Sequence, residues 1–178
     1  MYDFTNISGQ DLAIQILVSA ISKKHIPPAY LFSGPAGVGR KKTAKVFIQT
    51  ILDQNSKKEG TKRKIENNNH PDLLWIEPSY VFQGKSITQT KAKSESINIK
   101  SPPQIRLSKI KEIIAFLASK PLESERSIVI IEDIEKINES ASNALLKTLE
   151  DTNTGLFILI TERPEKLLST IRSRCQII

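Results

Sequence analysis

Cysteine is almost missing from this chain. A single one, Cys175, among 178 residues excludes an internal disulfide and a cysteine-rich zinc site. Without a disulfide framework, a cytoplasmic location is expected. Long apolar runs are missing too. No stretch approaches the roughly 20 residues that a membrane helix needs, so no membrane partner is expected. Met1-Tyr2-Asp3-Phe4 lacks the basic-then-apolar order of a secretory signal. Negative charge is in short supply, with 19 Asp and Glu against 26 Lys and Arg, a net charge of +7. That balance favours polyanionic partners, although a lysine-rich solvated surface gives the same sum.

The remaining composition, 39% hydrophobic and 25% charged, fits a globular protein with one good core. The positive charge is uneven. Lys57 to Lys100 holds nine Lys and Arg against five Asp and Glu, and so contributes +4 of the total. This stretch reads mainly as a solvated insertion, with DNA contact as the lesser alternative.

Helices and strands alternate along the chain. Helical periodicity covers Ser8 to Lys24, with Ser8 as a candidate cap, and Pro27-Pro28 ends it. Further helices are expected over Gly39 to Leu52, Gln104 to Ser119, Asn138 to Glu150, and from Pro164. Buried strands are expected at Ala29 to Ser33, Leu73 to Glu77, Ser127 to Ile131 and Leu156 to Thr161, with another beginning at Gln176. Asn55 to Asn69 reads as polar loop, and Ser79 to Pro103 as a flexible insertion low in regular structure. Continuously apolar strands between helices predict a three-layer α/β domain with a central parallel sheet. The chain stops within an element, so a longer protein is expected, with 1–178 as its nucleotide-binding-like domain.

The loop after the first strand carries the chemistry. A phosphate-binding P-loop reads G-x-x-x-x-G-K-[ST] between a strand and a helix. Gly34, Gly37 and Gly39 supply the turn, but Arg40 and Lys41 stand where Lys and Ser/Thr belong. The turn's backbone N–H groups favour an anion whatever the side chains are. Arg40 keeps charge in a flat fork rather than a point. Lys41 puts a cation where a hydroxyl would meet Mg²⁺. Thr43 lies two residues late, about 200° around the helix. Three readings stay open: an ATPase, a weak site for ATP or ADP, or a turn that only joins strand to helix.

Two further segments bear on this. Ile128-Val129-Ile130-Ile131 precedes Glu132-Asp133, four apolar residues and two acids in the manner of a Walker B strand. The order of the acids is reversed. Glu132 is one methylene long for a metal ligand, and Asp133 one short for a water-activating base. Two acids ending a strand is the plainer reading. At the far end, Ser173-Arg174-Cys175 could offer an arginine to a neighbouring subunit's phosphoryl chemistry, or merely a surface ion pair.

Four segments together carry a resemblance. They are Ala29 through Thr43, Asn69-His70-Pro71-Asp72-Leu73, Asn143-Ala144-Leu145-Leu146-Lys147-Thr148-Leu149-Glu150, and Pro164 through Cys175. The chain resembles the N-terminal AAA+ domain of the bacterial DNA polymerase III clamp-loader subunits, most of all their delta-prime branch. That resemblance implies a rigid, non-hydrolysing member of a hetero-pentameric ring with motor and delta-like subunits. It implies that Arg174 serves in trans as an arginine finger. It also implies work on a sliding clamp and primer–template DNA through the ring. An active AAA+ motor subunit is the alternative. The family's four-cysteine zinc module has no counterpart here, since Asn55 to Asn69 contains no cysteine. Neither zinc nor another metal is expected.

Overall fold

The computed structural model describes residues 4–55, 60–151 and 155–178. Its centre is a five-stranded sheet built from β1 (Ala29–Ser33), β2 (Leu73–Ile76), β5 (Ser127–Ile131), β6 (Gly155–Thr161) and β7 (Gln176–Ile177). The order across the sheet is β2-β5-β6-β1-β7, and every pairing is parallel. Parallel strands bury both faces, which explains why β5 is apolar almost throughout and buried at all five positions.

Side chains alternate between two cores because successive residues of a strand point to opposite faces. Tyr30, Phe32, Ile128, Ile130, Leu156 and Ile158 join one core, packed under α1 (Asp11–Ser22) and α2 (Arg40–Asn55). Leu31, Val129, Ile131, Phe157 and Leu159 join the other, under α5 (Leu107–Leu117) and α6 (Glu139–Glu150). This is the expected three-layer α/β fold around a central parallel sheet. Among the described residues no helix is long and apolar enough to cross a membrane.

The polar stretch read as loop holds a short helix, α3 (Thr61–Glu66). Its lysines and arginine are good helix formers, and Thr61 and Ile65 are buried. Residues 56–59 lie outside the described residues. The insertion also differs from the expectation of little regular structure. It carries a hairpin, β3 (Ser79–Phe82) and β4 (Lys85–Thr88), followed by α4 (Gln89–Ser94). Gln83 and Gly84 turn the hairpin with φ of 50° and 75°, the positive pair that matches strand twist. Thr88 caps α4 by accepting the Lys91 N–H. At the other end of the chain, α1 starts at Asp11 after Gln10, so Ser8 does not cap it.

One buried carboxylate fixes the entry to β2. Asp72, only 2% exposed, accepts the backbone N–H groups of Leu122, Glu123 and Ser124 at 2.6, 2.7 and 2.8 Å, and the Ser124 hydroxyl at 2.9 Å. Those bonds tie the start of β2 to the turn that feeds β5. Burial pushes the carboxyl up, but the hydrogen bonds outweigh it and hold Asp72 below its ordinary range. A depressed folded-state pKa gives stability that is present above the unfolded value, about 4, and lost as pH falls through the folded one. Asp72→Ala should cost about 2–4 kcal/mol in urea unfolding at neutral pH, with the deficit shrinking in acid. An equal deficit at every pH would contradict this account.

Candidate functional site

The glycine loop leaves the C-terminal end of β1 and enters α2, the place where ligands sit in open parallel sheets. Gly37 and Gly39 have φ of 86° and 92°, a region that side chains other than hydrogen rarely allow. They turn the chain so that the first residues of α2 follow at once. Thr43 faces inward, buried, with its hydroxyl on the Gly39 carbonyl at 3.1 Å. It therefore does not stand in for the missing Ser/Thr.

Arg40 reaches across to the residue after β6. Its Nη2 lies 2.7 Å from Glu162 Oε1, and its side chain is only 12% exposed. Lys41 turns toward the residue after β5, with Nζ 2.6 Å from Glu132 Oε1. The same carboxylate oxygen accepts the indole N–H of Trp75. The ammonium groups of Lys41 and Lys45 stand 5.2 and 5.1 Å from the Trp75 ring centroid. Asp133 has a φ of 45°, uncommon for a residue with a side chain, and pairs with Lys136 at 2.7 Å. Lys136 also donates to Gln89 at the start of α4, which pins the insertion to this loop.

Part of this network lines one open cleft of about 540 Å³. Gly37, Gly39, Arg40, Lys41, Glu132 and Asp133 all line it. Gly34 is not among its lining residues and packs near Val38. Lys42, Lys45 and Ile160 complete the lining. Trp75, Glu162 and Lys136 were not read from the sequence as site residues. Trp75 and Glu162 are brought in by strand order, and Lys136 by the short helical turn after Asp133.

Arg174 lies elsewhere, beside α6 and α7 (Ser169–Arg172). It donates to the Thr170 carbonyl at 2.9 Å and to Glu150 Oε1 at 2.7 Å, with its side chain 37% exposed. Cys175 next to it is half-buried, and burial pushes its thiol up to about 11, so it stays protonated. Among the described residues no three His, Cys, Asp or Glu side chains gather as a metal site would need.

A family model described as DNA polymerase III, delta subunit, matches residues 9–178. The chain is 29% identical to DNA polymerase III subunit delta' of Bacillus subtilis, over 94% of this chain and 46% of that protein. It is 30% identical to DNA polymerase III subunit tau of the same organism, over 97% of this chain and 28% of that protein. The chain thus spans less than half the length of these relatives. Among solved structures it is similar to a DNA polymerase III gamma subunit-related protein of Thermotoga maritima, with a TM-score of 0.55 and 21% identity, over 90% of this chain and 43% of that one. At that identity the likeness is one of fold.

The Trp75–Glu132–Lys41 cluster makes a direct prediction. Glu132→Ala leaves the indole N–H without its acceptor and should cost about 1–2 kcal/mol. Glu132→Gln keeps an acceptor and loses only a half-exposed ion pair, so the cost should stay below about 1 kcal/mol. Urea unfolding followed by Trp75 fluorescence measures both, and equal losses would contradict the geometry.

Proposed function

The chain belongs to the DNA polymerase III delta subunit family, and on that premise we propose that it is a delta-prime-like clamp-loader subunit with no ATP hydrolysis of its own. One observation carries the reading: Lys41 Nζ is 2.6 Å from Glu132 Oε1. In the working motif a hydroxyl and an acid hold Mg²⁺ between them. Here the hydroxyl's position supplies a cation, and the acid is already neutralised by it. A divalent ion would have to displace a bound ammonium and then sit beside it.

The other parts fail in the same direction. Arg40, in place of the phosphate-reaching lysine, is drawn to Glu162. Asp133, at the base position, is held by Lys136. These residues do not fit a magnesium nucleotide.

What such a subunit contributes is then supplied to a neighbour. Arg174 sits at an edge, more than a third exposed, with its guanidinium oriented by Glu150 and a backbone carbonyl. Delivered into an adjacent motor subunit's site, it would stabilise charge on the transferring phosphoryl group. Motor and delta-like subunits are its partners in the ring, and the clamp and primer–template DNA are engaged through that ring.

A ring reconstituted with motor subunits tests this. Arg174→Ala should lower clamp- and DNA-stimulated ATP turnover at the adjoining site on the order of 10³-fold, with Arg174→Lys only partly restoring it. Unchanged turnover with a correctly assembled ring would remove the arginine-finger role.

A further inference from the structure

The two sides of the glycine loop offer different space and different charge. In front, the cleft of about 540 Å³ presents Arg40, Lys41, Lys42 and Lys45 against only Glu132 and Asp133. Behind, the hollow bounded by Gln10, Ala13, Phe32 and Val38 holds about 30 Å³. A space that small holds about one water and no purine ring. We infer that the front cleft is a metal-free site for small multivalent anions of the pyrophosphate and tripolyphosphate class, bound without a nucleoside. The inference rests on the proposed function above in taking the magnesium position as lost.

Four cations on the first two turns of one helix repel one another, and an anion among them relieves that repulsion. The start of α2 adds N–H groups that lack partners within the helix and a dipole of the right sign. Arg40 borders both spaces, with its Nη2 engaged by Glu162 and its Nη1 buried without a hydrogen-bond partner. Lys45 lies over the face of Trp75, and Lys41 can leave Glu132 while the indole N–H remains on that carboxylate. Lys42 is held by the Asn6 carbonyl at 2.6 Å, so its charge is fixed at the rim. The cleft's side-chain cations take over the metal's task of balancing the anion's charge. Added Mg²⁺ should therefore weaken binding, because it claims the anion in solution.

Trp75 is the sole tryptophan, with two of the cleft's lysines over its ring, so the site carries its own reporter. The full chain is titrated with pyrophosphate, tripolyphosphate and ATP in EDTA at constant ionic strength, with sulfate as the control anion. Trp75 fluorescence and thermal unfolding are read together. The expected result is saturable binding of both inorganic anions, tripolyphosphate at least as tight as ATP, and weakening when Mg²⁺ is added. Lys45→Ala, which removes no hydrogen bond that holds the fold, should weaken tripolyphosphate about tenfold by the thermal reading. A response that sulfate reproduces would overturn the inference, as would ATP binding that requires Mg²⁺ and exceeds tripolyphosphate. Absence of any saturable response would also overturn it, yet leave the non-hydrolysing reading intact, because a cleft that binds nothing also turns over nothing.

Discussion

Lys41 and Glu132 meet at 2.6 Å between the first turn of α2 and the end of β5. Much of the cleft depends on this contact. In this fold the sheet delivers two strand ends to one place, and something positive must hold them together there. A divalent ion does it in the working motif. Here a side chain does it, from within the chain. The difference is physical before it is functional. A metal can come and go with nucleotide, whereas an ammonium on a tethered stem stays at high local concentration.

The contact exists only because the strands are correctly in register. Trp75 pairs with Ile130, and Ile76 with Ile131, so Glu132 emerges next to the indole. That register is set at the opposite end of β2, where Asp72 gathers four hydrogen bonds from the turn at Leu122 to Ser124. A one-residue slip would flip every side chain of β2 to the other face and unpair the carboxylate. Asp72 of the His70-Pro71-Asp72 tripeptide is thus explained by anchoring, and the site at the far end of the strand inherits its precision.

Much of this was legible in the chain. Five strands and the main helices follow from apolar runs and 3.6-residue periodicity, and the concerted departures at Arg40, Lys41, Glu132 and Asp133 show which parts of the motif are altered. Two kinds of feature were not legible. Ser79 to Thr88 looks like solvated insertion because its strands are short and half exposed, yet the positive-φ pair at Gln83-Gly84 folds it into a hairpin. Glu162, Trp75 and Lys136 join the site through strand order and a bend in the chain, and neither leaves a local pattern. Similar reasoning covers Arg174, whose partner Glu150 is 24 residues away on another helix.

The central claim is that a side-chain ammonium has replaced the metal, and that hydrolysis is lost with it. Turnover of ATP by the chain alone, measured with Mg²⁺ in excess, tests this most directly. The account predicts phosphate release no faster than in a protein-free control. Sustained turnover that requires Mg²⁺ and disappears in Glu132→Ala would contradict it.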